Sequence, residues 1–406
     1  MGDVIEGTYE TAICGGDDIP EDMRLYVRGL CNRSFMEGCR VRVMPGARLG
    51  RDGTPHGIAM VVRDGCAPSL MGTDPGCGMY GVCLGIEECD LPTLDEVCHA
   101  MPKGFDTWPR QRVDLSLRTL LCRNHLRDPE RARLSAGTLG GGAHFVEVGA
   151  VDRPDGGREL WLLVHAGSRS LGTQVSGYYR RLAVRMHQRE LDLRKERERL
   201  AEELALRGTR PELLRAIERL ETSSEDPDAP ANLCWLDGYA LDDWVHDMDV
   251  CERVARLGRE LIAQEVTGRC GFRVIDAFHS PHRFLRREPA LDDALVLRAG
   301  ATGAAKDEWS LVPLGVTAGC AMLKGAGNAD WCLSGPAGVP RTYANDMSLD
   351  RYRRDMANVY STCVGERTID VSPAAYETPG DTIERTDETA EVVAITRTVY
   401  SFRAVR

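Results

Sequence analysis

Five side chains of metal-ligand type occur in four short segments that are rich in glycine and other small residues. One carboxylate, one thiolate and three imidazoles together suit Zn²⁺, and the carboxylate and imidazoles also suit Mn²⁺ or Co²⁺. A thiolate between two cations can bridge them, and two ions about 3.5–4 Å apart are the usual clamp for attack at phosphorus. These residue types therefore indicate a site for divalent cations. The five residues are Asp74 and Cys77 in TDPGCGM (73–79), His144 in GGGAHFVEV (140–148), His165 in LLVHAGSRSLG (162–172) and His279 in DAFHSPH (276–282).

Each of these residues taken alone also fits a structural interpretation, because buried cysteines and hydrogen-bonded core histidines are common. Their coincidence in similar strand-end surroundings favours the metal. Ionisable side chains gathered in a core are costly unless a cation holds them. The tight turn at Pro75-Gly76 also allows Asp74 and Cys77 to point toward one spot. A structural metal site without an open coordination position stays an alternative.

The elements that would position these residues are mostly short β-strands. Apolar runs broken by glycine, such as VRVMPGARLG, GIAMVV and GMYGVCLGI between 41 and 86, predict strands and turns. HFVEVGAV and LWLLVHAG predict two more strands, and strand-like runs resume after Phe272. Helices are expected after Pro20, in LPTLDEVCHAM, in RQRVDLSLRTLLCRNHL (110–126) and along an apolar stripe from Trp244 to Leu261. The pattern predicts an α+β fold with a β-rich core around a buried metal site.

Dense alternating charge sets residues 178–232 apart from the rest of the chain. MHQRELDLRKERERLAEELALRG and RPELLRAIERLE predict an exposed helical hairpin, and TSSEDPDAPAN (222–232) predicts a polar linker. We interpret this segment as a helical insertion into a single domain that spans residues 1–406. The arginines of the insertion could contact RNA or a protein, but its many glutamates favour a solvated hairpin or an oligomer contact.

The composition narrows the classes of function. The chain has 406 residues, of which 43% are hydrophobic and 28% charged, as is typical of a globular protein. The acidic N-terminal stretch lacks a signal-peptide pattern and no apolar run reaches the roughly 18 residues of a membrane span, so we expect a cytoplasmic protein. Fifteen cysteines without a CxxC pair argue against a disulfide framework. A net charge of −11 argues against general nucleic-acid binding, although most of the 51 basic residues are arginines that could line a local phosphate-binding surface.

Taken in order, the motifs resemble those of the RtcB family of RNA-splicing ligases. MPGARLGRDGTPHGIAMVV (44–62) is similar to the family's M-P-D-x-H-x-G-x-G stretch, MGTDPGCGM to V-G-x-D-I-G-C-G-M, and GTLGGGAHFVEV to G-T-x-G-x-G-N-H-F-I-E. VHAGSRSLG resembles H-S-G-S-R-G-L-G, and DVSPAAYE (370–377) resembles D-E-A-P-A-A-Y-K. The resemblance extends from about residue 41 to the C-terminus.

The resemblance implies an α+β fold around a dinuclear site, usually of Mn²⁺, with Zn²⁺, Co²⁺ or Fe²⁺ as alternatives. It also implies that an RNA 3′-phosphate or 2′,3′-cyclic phosphate is joined to a 5′-hydroxyl with the use of GTP. Carried over by position, Asp74, Cys77 and His144 would hold one ion. Cys77, His165 and His279 would hold the other ion, with Cys77 shared between the two.

The departures from the family's pattern fall on the GTP chemistry. Glu147 stands at the position of a glutamate in the family's nucleotide site. However, LSGPAGVPR (333–341) replaces C-S-H-G-A-G-R, so Gly335 occupies the position of the guanylylated histidine. Arg298 begins R-A-G-A where the family has R-K-G-A, and Ala143 replaces an asparagine before the metal-binding histidine. A phosphoramidate cannot form without a nitrogen nucleophile, which argues against GTP as a cofactor.

No other nucleotidyl acceptor is evident: Lys306 lacks the K-x-D-G context, and His282 is expected to lie beside the ligands or at the surface. We therefore expect a metal-dependent RtcB homologue that has lost self-guanylylation and hydrolyses a phosphoester or transforms another small anionic substrate. A GTP- and Mn²⁺-dependent ligase of RNA ends is the first alternative. A non-catalytic protein that binds RNA or another protein is the second. The sequence leaves the substrate, the metal and the oligomeric state open.

Overall fold

The structure, a computed structural model, describes residues 3–16, 18–187, 199, 202, 230–341 and 347–404. It has mixed α+β architecture, which confirms the predicted fold class. Most of the insertion expected at 178–232 lies outside the described residues, and its first part forms the end of a long helix, Arg169–His187. No helix in the described ranges is long and apolar enough to cross a bilayer.

The described elements are strands and α-helices, with short 3₁₀ turns between several of them. The strands are β1 (Val4–Glu6), β2 (Thr11–Cys14), β3 (Arg40–Leu49), β4 (Pro55–Val62), β5 (Gly65–Cys66), β6 (Gly78–Cys83), β7 (Phe145–Asp152), β8 (Arg158–Ala166), β9 (Leu236–Asp237), β10 (Asp276–Pro281), β11 (Arg283–Glu288), β12 (Ala294–Ala299), β13 (Ala301–Gly303), β14 (Trp309–Gly315), β15 (Gly319–Gly325), β16 (Ser334–Pro336) and β17 (Ala390–Arg403). The helices are α1 (Glu21–Cys31), α2 (Leu91–Ala100), α3 (Pro129–Leu134), α4 (Arg169–His187), α5 (Gly238–Cys270), α6 (Leu349–Asp355) and α7 (Pro379–Glu384).

Two large sheets organise the molecule. One has six strands in the order β1-β2-β3-β4-β12-β11, and the other has seven in the order β10-β6-β8-β7-β17-β15-β14. The two edges of the seven-stranded sheet approach each other, since the Leu311 amide of β14 donates to the Ser280 hydroxyl of β10 at 3.0 Å. The sheet is therefore strongly curved and has a concave face.

Alternating side chains give the two faces of the curved sheet separate cores. Val82, Val146 and Val164 pack on the outer face against α2 and α5. Met79, Leu163 and other apolar residues fill the concave face. Toward one end of the concave face this apolar packing gives way to polar side chains, and this is where the ligand-type residues lie.

Most of the predicted strands and helices are confirmed, but the helix predicted for residues 110–126 is wrong. That segment contains only two 3₁₀ turns, Leu117–Thr119 and Arg123–His125. The carboxylate of Asp247 on α5 accepts hydrogen bonds from the amides of Leu121 (2.8 Å) and Cys122 (3.0 Å). These amides bond to a distant side chain instead of a helical carbonyl, so tertiary contacts override the local helical pattern.

Candidate metal centre

Four chain segments meet at one end of the strands of the seven-stranded sheet. β6 and β7 begin at this end, and β8 and β10 finish there. The pairing register aligns Ser280 with Met79, Met79 with His165, and His165 with Phe145, so this row of residues shares the concave face. The loops before β6 and β7 and the residues after β10 therefore meet in one place.

Two groups of three ligand-type residues meet there, and they share Cys77. Within each group the ligand atoms lie within 4.8 Å of one another. Cys77 Sγ lies 3.5 Å from His144 Nε2 and 3.4 Å from His165 Nε2. His165 Nε2 lies 3.4 Å from His282 Nε2. His144 Nε2 lies 3.0 Å from Asp74 Oδ2. The first group is Asp74, Cys77 and His144, and the second is Cys77, His165 and His282.

The structure does not bring His279 into this cluster. His282 occupies the position in the second group that was predicted for His279. His279 pairs with Tyr80 in the sheet, one position away from the row of Ser280, so its side chain leaves the opposite face. Its Nε2 atom lies 3.0 Å from Glu260 Oε1, and its ring stacks on Tyr80 with centroids 4.1 Å apart. His282 is buried beside the other ligands rather than at the surface. Both histidines lie in the same short segment of the sequence, and the register of β10 decides between them.

Neighbouring groups fix the orientation of the ligands. The Ala143 carbonyl lies 3.0 Å from Nδ1 of His165, and a carbonyl can only accept, so Nδ1 carries the proton and the Nε2 lone pair faces the cluster. The Ser168 amide donates to Asp74 Oδ1 at 3.0 Å. Gly76, between the first two ligands, has a φ of +78°, a conformation that favours glycine. The turn therefore depends on glycine to present Asp74 and the thiol together.

Burial governs the protonation of the cluster when no cation is bound. It raises the pKa of the Cys77 thiol, and the nearby Asp74 carboxylate raises it further. Burial also holds the pKa of His165 well below its usual range and lowers that of His282 to about 3. Burial would raise the pKa of Asp74, but the hydrogen bond and charge of His144 outweigh it and lower this pKa. The metal-free cluster thus holds a neutral Cys77 thiol and neutral imidazoles at His165 and His282 at neutral pH.

These residues fit a divalent ion in each group of three. Metal bonds of about 2.0–2.3 Å in tetrahedral geometry separate ligand atoms by about 3.4 Å, and the separations here are 3.0–3.5 Å. The Nδ1 atoms of His144 and His282 are buried without a hydrogen-bond partner among the described residues. Imidazole, thiolate and carboxylate are the donors that Zn²⁺ accepts, and Mn²⁺ or Co²⁺ suits most of them.

The cluster lies in the wall of a cavity of about 1260 Å³. Eight arginines and five carboxylates of the described residues line this cavity, so its lining is positive although the whole chain is acidic. Such guanidinium groups bind phosphate oxygens through paired hydrogen bonds. The arginines are Arg48, Arg51, Arg131, Arg169, Arg283, Arg341, Arg367 and Arg403.

Two buried arginines hold the backbone around the cluster, and the sequence analysis did not identify either of them. Arg259 of α5 donates from Nη1 to the carbonyls of Gly76 (2.8 Å) and Ala166 (2.9 Å), each next to a ligand residue. Arg283, next to His282, places Nη2 3.1 Å from both ring nitrogens of His56. Burial and this guanidinium keep the pKa of His56 well below its usual range. Both arginines add positive charge to a site whose ligands are partly anionic.

Glu147, the predicted nucleotide-site residue, is buried in the cavity wall and paired within the protein. Its Oε1 accepts a hydrogen bond from Arg403 Nη2 at 2.7 Å and one from the Ser401 hydroxyl at 3.0 Å. Burial raises the pKa of Glu147, although Arg403 opposes this effect. The carboxylate is therefore bound to an internal cation and a hydroxyl.

Gly335 lies in β16, where it pairs with Thr302 of β13. A side chain added at Gly335 would begin 3.4 Å from the Thr389 hydroxyl and 3.5 Å from the Thr302 hydroxyl. The following residues, Ala337 to Val339, line the cavity, whereas Gly335 does not. The position given to the nucleophile by sequence thus faces the protein interior.

Comparison with known proteins gives concordant results. The family model described as tRNA-splicing ligase RtcB matches residues 122–404. The RNA-splicing ligase RtcB of Escherichia coli strain K12 is 24% identical over 390 residues, which cover 88% of this chain and 88% of that protein. The RNA-splicing ligase RtcB1 of Escherichia coli strain ATCC 25922 gives the same identity and coverage.

Proposed function

Because the chain belongs to the RtcB family, we propose that it is a metal-dependent enzyme that acts on a phosphoester of an RNA end or of a small anionic molecule. We further propose that it does not transfer a guanylyl group to itself. The observation that carries the proposal is the pair of ligand groups that share Cys77 in the wall of an arginine-lined cavity.

Two divalent ions are proposed, one held by Asp74, Cys77 and His144 and the other by Cys77, His165 and His282. When bound, such a pair polarises a phosphoryl oxygen and lowers the pKa of water. Cys77 would bind both ions because its thiol lies between the two imidazole groups. Mn²⁺ is the family's usual ion, and Zn²⁺, Co²⁺ and Fe²⁺ remain candidates for this donor set.

The protein's own groups would bind and orient the substrate. Arg341 and Arg367 line the cavity and can bind phosphate oxygens. Arg283 carries a fixed charge next to a ligand, and its guanidinium keeps His56 neutral, so it would attract an anion rather than move a proton. Arg259 would keep the two ligand-bearing backbone segments at their present separation through its bonds to Gly76 and Ala166.

The absence of self-guanylylation is supported by the geometry around Gly335, which offers no nitrogen and faces away from the cavity. No lysine of the described residues lines the cavity. The pairing of Glu147 with Arg403 occupies the carboxylate that would otherwise recognise a base. In-line attack requires a nucleophile placed within about 1 Å of its proper position. Outside the cluster, the described residues that line the cavity include one imidazole, that of His56.

His56 is the observation that favours a second candidate, a GTP-dependent ligase with a displaced nucleophile. Its ring lines the cavity and is neutral, as a nucleophilic imidazole must be. However, Arg283 Nη2 lies against both ring nitrogens, which blocks their approach to a phosphorus atom. The relatives' names make this candidate worth a direct test.

The experiment measures metal content, turnover and covalent labelling on the same preparations. We expect about two ions per chain after loading with Mn²⁺, Zn²⁺ or Co²⁺, and opening of a 2′,3′-cyclic phosphate on a short RNA or on a mononucleotide. Both should be lost in Cys77→Ala and kept in Cys66→Ala, a matched control because Cys66 is equally buried but lies in β5.

Metal far below one equivalent, not restored by any of these ions, would count against the metal enzyme. Incubation with α-labelled GTP and Mn²⁺ separates the two candidates. We expect no covalent label. A label that disappears in His56→Ala, together with joined RNA ends, would establish the ligase instead.

A further inference from the structure

Phe105 is an unusually exposed aromatic side chain at a functional position. Its relative exposure is 76%, and its ring lines the arginine-rich cavity. Aromatic rings are normally buried because their contact with water is unfavourable. An exposed ring in the lining of a cavity offers a flat apolar surface to a bound molecule. Most of the Phe105 ring is open to such a contact.

The backbone that carries Phe105 is firmly held. The Gly104 amide donates to the Gly140 carbonyl at 3.2 Å, and Arg169 Nη2 donates to the Gly104 carbonyl at 2.7 Å. Arg131 Nη2 donates to the carbonyl of Phe105 itself. The exposed ring therefore projects from a turn whose backbone is fixed by hydrogen bonds.

This turn is connected to the metal cluster through Gly140. A side chain at Gly140 would begin only 1.9 Å from Nδ1 of His144, so the Gly140 backbone packs directly on a proposed ligand. Because Gly104 bonds to Gly140, the position of Phe105 is set relative to His144 by two short contacts. A molecule bound at the cluster would have its outer part near the ring.

Positive charge lies beside the ring. The guanidinium carbon of Arg131 is 5.9 Å from the Phe105 ring centroid, and both Arg131 and Arg169 line the cavity. A ligand that uses both features must carry an anionic group and a flat ring. A sugar phosphate could use the arginines but would gain less from the phenyl ring than a ligand with a flat aromatic base. A nucleotide meets both requirements, because bases stack on aromatic side chains while phosphates bind arginines.

We propose that Phe105 is a stacking platform for a nucleobase of the substrate and so makes the cavity selective for nucleotides over sugar phosphates. The inference rests on the proposed function in taking the cavity to receive a phosphate. It adds a specificity residue outside the metal ligands.

The test compares two probes that differ only in the base, adenosine 5′-monophosphate and ribose 5-phosphate, by calorimetry on the metal-loaded protein. Stacking on one aromatic ring should make the nucleotide bind roughly tenfold more tightly or better. Phe105→Ala should remove most of this preference, and Phe105→Trp should keep it. Tyr239→Ala is the control, because Tyr239 is 92% exposed and does not line the cavity.

Equal affinity for the two probes in the wild-type protein, or an equal preference in wild type and Phe105→Ala, would overturn the inference. Absence of binding of both probes would overturn it as well. These results are independent of the turnover and metal assays. If the cyclic phosphate is opened but the base preference is absent, only the stacking role of Phe105 is wrong. If the base preference is present without metal-dependent turnover, only the proposed function is wrong.

Discussion

Two buried polar regions of the molecule, around Arg298 and around Cys77, differ in the kinds of polar group that they bring together. Around Arg298, opposite charges meet: its Nη2 atom lies 2.6 Å from Glu288 Oε1, and Arg286 bonds both Glu288 (2.8 Å) and Glu308 (2.6 Å). Arg298 Nε also donates to the Ser334 hydroxyl at 2.8 Å. Around Cys77, in contrast, ligand-type groups meet, namely three imidazoles and a thiol, with a single carboxylate. The Nε2 atoms of His165 and His282 lie 3.4 Å apart and close to the Cys77 thiol, an arrangement that suits a bound cation.

The charges of the Arg298 network are paired within the protein, whereas the Cys77 cluster has the composition of a site that could bind a metal ion. The Arg298 network neutralises its charge with the protein's own acids and bonds the carbonyls of Cys332 and Leu333 next to β16. Arg298 belongs to the R-A-G-A stretch, whose family counterpart the sequence analysis linked to GTP chemistry. In this chain that residue supports the strand that carries Gly335. The Cys77 cluster, in contrast, offers ligand atoms that a cation from outside could bind.

The largest expected effect is the loss of metal and of turnover on substitution of His282 but not of His279. His282→Ala should remove one metal equivalent and reduce turnover to background, because a site of three protein ligands loses one of them. His279→Ala should retain both ions, since it loses only the contact with Glu260 and the stacking on Tyr80. Elemental analysis after gel filtration, together with turnover of a cyclic phosphate, measures this difference. The reverse pattern would mean that His279 is the ligand after all.

The second prediction concerns stability. Arg298→Ala should lower the free energy of unfolding by about 3 kcal/mol, because the buried Glu288 loses its fully buried cation and keeps only Arg286, which is partly exposed. The double variant Arg298→Met with Glu288→Leu should cost much less, since no unpaired charge then remains. Denaturant titration of both metal-loaded variants tests this. If the single variant costs less than the double variant, the network does not act as a charge pair.

A smaller effect is expected at Arg259. Arg259→Met should weaken metal binding by about 10–100-fold, as is typical when a group that orients ligands is removed. Arg256→Met, an exposed position on the same helix, is the matched control. Competition with a chromophoric chelator measures the affinity. Unchanged affinity in Arg259→Met would show that the carbonyls of Gly76 and Ala166 keep their places without it.

The smallest effect is the dependence of metal affinity on pH. Burial, followed by Asp74, raises the pKa of the Cys77 thiol, so a cation that binds the thiolate must displace one proton. His282, with a pKa of about 3, is already neutral and releases none near pH 7. Affinity should therefore rise about tenfold per pH unit below the thiol pKa. Calorimetry in two buffers counts the proton, and a pH-independent affinity would exclude the thiolate as a ligand.

Four of the five ligand-type residues in the cluster could be identified from sequence because each lies in a short segment rich in glycine and other small residues next to a predicted strand. The choice between His279 and His282 could not be made from sequence, because it depends on which residue of β10 pairs with Met79. The roles of Arg259 and Arg283 were also hidden, since their partners lie 183 residues away for Gly76 and 227 residues away for His56. Local pattern predicts strand ends well, but it does not contain the register between strands.

The distribution of the ligands along the chain has a consequence for biosynthesis. The first group of ligands is complete once His144 has been made, but His282 follows His165 by 117 residues. At about 5–20 residues per second, the ribosome needs roughly 6–23 s to supply it. β17, which lies between β7 and β15, is made later still. Until His282 is made, a nascent chain can assemble only the first of the two proposed groups of ligands. The final strand must then insert into the middle of a sheet whose earlier members have already left the ribosome.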